Sequence, residues 1–312
     1  MKRALFASPL VLAALLVVAW FIFTRHVPWA IPPQHRAPPA WSGEQGLKLR
    51  SLGVTGFELS DGVTTVLLDP TPTRPDPVEL ITGRIVADPK LGEQWCPRAD
   101  LILVNHAHFD HALDVGEIAA RTGAVVAGSQ NAVNLALSRG VRPEKTRVVK
   151  EGDTFTVGSF TVDVRRSRHT DLLVAQPMSG VIPTDAKAMW FWGYALDDTF
   201  AYRLTANGTS VWFHPTSTYA AGELGGLPAK TLIVGVTGEK LTKEKLGGLV
   251  GEAKPLRVLP THFDNFFQPM AKGLALFPGC DLDAVRALAL EQDPKLEWGV
   301  LDYGETVTLP PD

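Results

Sequence analysis

The stretch Asn105-His106-Ala107-His108-Phe109-Asp110-His111 decides how this chain of 312 residues is read. Four metal-capable side chains, His106, His108, Asp110 and His111, fall within six residues, directly after the apolar run Leu101-Ile102-Leu103-Val104. Such a run predicts a buried strand. Each neutral imidazole carries one donor and one acceptor, so a strand ending in a cluster of them must supply every ring with partners. A metal ion supplies them. On an extended or turning backbone, residues two apart lean the same way, which lets His106 and His108 grip one ion while Asp110 and His111 face another.

Of the 8 histidines, His26 and His35 belong to an N-terminal segment treated below. The others beyond the cluster are His169 in Ser167-Arg168-His169-Thr170, His214 in Val211-Trp212-Phe213-His214-Pro215-Thr216, and His262 in Leu259-Pro260-Thr261-His262-Phe263-Asp264. Each stands where a strand-like stretch stops, and ligands at strand ends converge on one edge of a sheet.

From Lys48 to Leu309 the sequence resembles the metallo-β-lactamase-fold hydrolases, whose first motif, His-x-His-x-Asp-His, is followed by three later single-ligand motifs in this order. It is most similar to the branch with lactonase-like and phospholipase-D-like members, on Leu67-Leu68-Asp69-Pro70 ahead of the motif and Thr261-His262-Phe263-Asp264 near the end. The resemblance implies an α/β fold, a four-layer αββα sandwich, with His106, His108 and His169 on one metal and Asp110, His111 and His262 on a second. Zinc suits these donors first, and manganese or iron fit them too. The metals would lower the pKa of a shared water toward about 7, for attack on a carbonyl or phosphorus. Asp110 would also accept a proton, as a catalytic residue. Asp69 would orient the ligands from behind, or else only open a turn before Pro70. His214 marks a departure: most dinuclear relatives place a bridging Asp at this motif, and no Asp stands in Phe213-His214-Pro215-Thr216. With His214 in the metal shell instead, two unequal sites are expected.

The chain divides into residues 1–26, 27–47 and 48–312. Lys2 and Arg3 precede an apolar stretch from Ala4 to Phe23, about the 30 Å of a bilayer's hydrocarbon as a helix. No small-residue cleavage site follows in Trp20-Phe21-Ile22-Phe23-Thr24-Arg25. An uncleaved transmembrane anchor is therefore expected over a cleaved signal, giving a single-pass protein of the cell membrane with its catalytic domain on the exported, periplasmic or extracellular side. Residues 27–47 read as a stiff Pro-rich spacer, its Trp29 and Trp41 either at the membrane interface or packed on the domain.

In the domain, Leu49 to Leu59 and Val63 to Leu68 predict a hairpin around Asp61-Gly62, and Thr71 to Arg98 reads as irregular. Helices are expected over 112–121, 130–139, 242–252 and 281–291. Strands are expected over 123–127, 146–149, 154–157, 160–164, 200–204, 210–213, 231–236, 257–259, 298–301 and 306–309. Met189-Trp190-Phe191-Trp192-Gly193-Tyr194 is either an apolar pocket wall or core. Cys96 and Cys280 are a disulfide if the domain is exported, or else inert thiols.

The composition, 45% hydrophobic with net charge −3, suits a large globular core and carries no basic excess that would suggest nucleic acid. Together these features predict a membrane-anchored metal-dependent hydrolase of an ester, lactone or phosphodiester, acting on a small-molecule or lipid-like substrate. The alternatives are a non-hydrolytic redox member, and a binding or scaffold protein that has lost turnover.

Overall fold

The computed structural model describes residues 17–18, 20–43, 45–170, 178–238 and 240–312. Two seven-stranded sheets run in the orders β14-β1-β2-β3-β4-β5-β6 and β13-β12-β11-β10-β9-β8-β7. The first holds β1 (Leu47–Gly53), β2 (Gly56–Ser60), β3 (Thr65–Leu68), β4 (Leu101–Leu103), β5 (Val125–Gly128), β6 (Thr146–Val148) and β14 (Thr306–Leu309). The second holds β7 (Thr154–Val157), β8 (Phe160–Ser167), β9 (Thr199–Ala206), β10 (Thr209–His214), β11 (Thr231–Gly235), β12 (Arg257–Thr261) and β13 (Glu297–Trp298).

Strand alternation distributes the core. Leu101 and Leu103 of β4 and Ile233 of β11 meet between the sheets, together with Phe160, Phe200, Tyr202 and Phe213. Ile102 and Val126 point the other way, onto α4 (Val115–Thr122) and α5 (Gln130–Ser138), through Ile118, Leu135 and Ala136. Leu232 and Val234 do the same on the far side, against Leu246 and Leu249 of α6 (Lys243–Ala253) and Val285 of α7 (Leu282–Gln292). Helix, sheet, sheet and helix thus form the four layers expected. Capping fixes the helix starts: Ser129, Thr242 and Asp281 each accept from a backbone N–H in the first turn that follows.

Four expectations are corrected. The stretch 49–59 is two strands, because Val54-Thr55 turns the chain and Val54 takes a left-handed φ of 53°. The region 71–98 contains α1 (Pro77–Thr82) and α2 (Pro89–Trp95), each starting with Pro behind an Asp N-cap, a signature that Pro content obscured. The closing strand at 298–301 shrinks to β13. Cys96 and Cys280 are free thiols rather than a bridge, and burial pushes them up to about 12 and about 11.

The expected membrane anchor lies largely outside the described residues; among those described, no helix is long and apolar enough to cross a membrane. The Pro-rich segment is no free spacer. Its 3-10 turns at Pro33–His35 and Pro39–Trp41 lie on the domain, with Trp298 Nε1 donating to His35 Nδ1 at 2.9 Å and Trp41 Nε1 donating to Glu297 Oε2 at 2.6 Å. Trp41 is fully buried, and a Cβ on Gly299 would lie 2.5 Å from its ring.

Truncating Trp41 to Ala should therefore cost about 3–5 kcal/mol, the range for large buried aromatics. Denaturant unfolding of the two proteins checks it, and a loss near zero would mean that the segment lies on the domain without supporting it.

Candidate metal centre

Every expected ligand sits at or past a strand end on one side of the sandwich, and all but His214 gather into two groups there. β4 delivers residues 105–108, and the short helix α3 (Phe109–Ala112) brings Asp110 and His111 round behind them. β8 delivers His169, and β12 delivers His262. The structure brings His106, His108 and His169 into one group, and Asp110, His111 and His262 into another, with all candidate ligand atoms within 4.8 Å of one another inside each group. The rings also crowd across the groups, His106 and His111 lying 3.9 Å apart between centroids.

The donor chemistry fits a metal. In three rings Nδ1 is engaged by an oxygen: His106 by Asn105 Oδ1, His111 by Asp69 Oδ2 at 2.7 Å, and His169 by the Thr170 carbonyl at 2.8 Å. That leaves the ring lone pair on each Nε2. His108 Nε2 and His262 Nδ1 are buried without any hydrogen-bond partner, and His106 Nε2 faces His108 Nδ1 at 3.1 Å. Orphaned nitrogens at this density are costly unless something cationic shares them. Protonation is not the remedy, because burial and neighbouring histidines push His106 well below its ordinary value, and burial brings His108 down to about 3. Burial also pushes Asp110 up, but His111 and His262 outweigh it and keep this carboxylate ionised.

The supports come from three loops held in unusual backbone. Asp69 (φ 40°), Val54 (φ 53°) and His262 (φ 59°) are all left-handed, a conformation that costs a non-glycine residue and persists only where contacts impose it. Asp69 accepts from Asn105 N at 2.7 Å through Oδ1, and its Oδ2 meets both Thr55 Oγ1 and His111. Val54 accepts from His262 N at 2.7 Å and donates to Asp264, whose carboxylate also takes Arg74 at 2.9 Å and Tyr303 Oη at 2.8 Å. Arg74 and Asp264 are almost wholly buried. Thr55 and Arg74 carry no sequence signal that separates them from ordinary turn and surface residues.

His214 joins neither group, which corrects its expected place in the metal shell. It is fully buried with both ring nitrogens facing acceptors, Nδ1 the Thr216 carbonyl at 3.1 Å and Nε2 the Glu223 carboxylate at 2.7 Å. A ring so engaged turns neither nitrogen toward the ligand groups. Burial pushes the Glu223 carboxyl up, but the hydrogen bond from His214 prevails and holds it below its usual value. The signal was available: Glu223 is the lone acidic residue between His214 and Gly238.

Both groups open into a cavity of about 940 Å³, walled by Phe109, Phe191, Phe266, Phe267, Phe277 and Leu288 among others. The aromatic run 189–194 is split by this wall. Phe191 faces the cavity, Tyr194 is core, and Trp190 and Trp192 stack on each other at 4.8 Å.

The contrast between His106 and His214 is testable. His106→Ala should lose bound metal, whereas His214→Ala should keep the wild-type metal content and lose about 3 kcal/mol, since the buried Glu223 carboxylate is left without its partner. Metal analysis beside denaturant unfolding distinguishes them, and metal loss in His214→Ala would return that residue to the metal shell.

Comparison with known proteins agrees with this geometry. Residues 48–262 match the β-lactamase superfamily domain. A UPF0173 metal-dependent hydrolase of Thermococcus kodakarensis is 27% identical over 255 residues, 80% of this chain and 99% of that protein. Another, from a Ruegeria species, is 31% identical over 126 residues, and the chain spans about half of its length. Among solved structures, Igni18, a metallo hydrolase from Ignicoccus hospitalis, superposes with a TM-score of 0.57 at 17% identity, over 85% of this chain and 99% of that one. The chain belongs to the β-lactamase superfamily, in its metallo-β-lactamase fold, among relatives named metal-dependent hydrolases.

Proposed function

We propose that this protein is a membrane-anchored, metal-dependent hydrolase that cleaves an ester, lactone or phosphodiester bond in a small-molecule or lipid-like substrate. The observation that carries the reading is the pair of ligand groups, with two buried imidazole nitrogens lacking any other partner, at the floor of an apolar cavity. His106, His108 and His169 would hold one ion; Asp110, His111 and His262 would hold a second. Zinc in such sites supplies Lewis acidity and lowers the pKa of water toward about 7.

The chain's own residues do the rest. Burial pushes His106, His108 and His169 below the ordinary histidine value, so the lone pairs of these three rings are available at neutral pH. Asp69 and the Asn105 side chain fix the ring planes through Nδ1. Asp110, ionised and at the floor of the cavity, is placed to accept a proton. Phe109, Phe191 and Phe266 exclude water from the reacting bond, which strengthens every charge interaction there. The Lys2-Arg3 pair ahead of an apolar stretch supports an anchor with the domain on the exported side.

Full-length protein should hydrolyse at least one of an aryl ester, a lactone and an aryl phosphodiester. Dialysis against chelator should remove the activity, and zinc should restore it more fully than manganese. Absence of turnover on all three with every metal added would leave a metal-binding protein without this chemistry.

A further inference from the structure

The N-terminal apolar segment ends on the wall of the cavity. Residues 20–24 are helical, and the carbonyls that close this helix find donors on the loop following His262. Asn265 Nδ2 donates to the Phe23 carbonyl at 3.1 Å; Gln268 Nε2 donates to the Phe23 carbonyl at 3.1 Å and to that of Thr24 at 2.9 Å. Both amides are buried. A tether that only held the domain near a membrane would need no such seat.

The side chains continue the connection. The Phe23 ring meets Phe267 edge-on at 5.4 Å and Phe277 at 5.7 Å. Phe277 stacks on Phe266 at 5.3 Å, and the Phe266 ring stands edge-on to His262 at 5.4 Å. Aromatic surface therefore runs without a break from the last turn of the apolar helix to a ligand of the second group. On the outside of the same turn, Phe21 and Ile22 are 67% and 50% exposed, and contiguous exposed apolar side chains mark a surface made for an apolar phase.

We propose that the cavity takes an amphiphile directly from the lipid bilayer. Its apolar chain passes Phe23 and lies against Phe267, Phe277 and Leu288, and its polar head reaches the histidine groups. Burial of the chain supplies the affinity, growing with each methylene removed from water, and the head needs only to be positioned. The assignment of the head to the metal ligands rests on the hydrolase reading; the chain site does not, since it requires neither metal nor turnover.

The test uses full-length protein stripped of metal by chelator, in lipid nanodiscs doped with a single-chain phospholipid carrying a diazirine on its acyl chain. After illumination, cross-links should map to residues 263–288 as well as to the N-terminal helix. Leu288→Trp, which fills the cavity, should cut labelling of residues 263–288 by about tenfold, equivalent to the burial of two methylenes, while Leu288→Ala should retain it. Unlabelled long-chain phospholipid should displace the label in the wild type, and its short-chain counterpart should not, a readout independent of how either variant folds. Cross-links confined to the helix, or equal displacement by long and short chains, would overturn the proposal. Because metal-free protein cannot turn over, a negative hydrolysis panel leaves these outcomes readable, and labelling without hydrolysis would retain the chain site and reject the reaction.

Discussion

The site depends on one buried carboxylate. Asp69 has no exposed surface, yet it ends β3, holds the first residue of the motif loop through Asn105 N, and reaches the β1–β2 turn through Thr55 and the metal-ligand shell through His111. Three segments distant in sequence are pinned by one side chain with two oxygens. Its left-handed backbone is the cost of aiming both oxygens correctly, and the three contacts explain why the chain tolerates it. The Asp264 carboxylate performs the corresponding task for His262, by fixing the Val54 turn to which the His262 backbone bonds. Burying it requires Arg74, because an ionised group in the interior is tolerated only when paired and hydrogen-bonded.

Both halves of the fold supply ligands to the site. The strand orders of the two sheets mirror each other, and ligands arrive from the ends of β4, β8 and β12. The fourth strand end that sequence offered, β10 with His214, lies between them in the second sheet but turns its side chain into a polar pocket of Ser167, Thr216 and Glu223. Position at a strand end was therefore necessary for a ligand and not sufficient. The rotamer and its nearest acid decided, and Glu223 lies nine residues further along in a segment with no regular pattern.

What sequence made legible was whatever periodicity or local chemistry encodes. The Leu101–Val104 run, the His-x-His-x-Asp-His spacing and the helical stretches over 130–139, 242–252 and 281–291 each report their structure within a few residues. Most strands were located to within a residue or two, and the two ligand groups assemble as the resemblance implied. The failures share a cause. The break at Val54, the Arg74–Asp264 pair, the docking of Trp41 on Gly299 and the redirection of His214 all depend on partners 9 to 258 positions away, and nothing in the local alternation of polar and apolar residues announces them. The helices α1 and α2 lie in a stretch that reads as irregular for another reason: its prolines look like breaks, although after an Asp cap a proline opens a helix.

Charge decides how such a site behaves once it is filled. Among the six ligand candidates only Asp110 is anionic, and Asp69 contributes its charge through His111 rather than by contact. Neutral imidazoles attract a divalent cation by their lone pairs but do little to cancel a second one beside it. In the sequence pattern resembled here, a bridging carboxylate does that work, and the strand end where it was sought carries His214, which is turned away and paired with Glu223. Two divalent ions would therefore set four formal positive charges against one carboxylate in direct reach, and their mutual repulsion in a buried setting falls on whichever group binds less well. His106, His108 and His169 form an all-imidazole group that avoids none of this repulsion, whereas the group with Asp110 carries the only compensating charge. Unequal occupancy would follow from that asymmetry without any role for His214, and the uncompensated positive field it left would favour a substrate whose scissile group is anionic or becomes so as it reacts.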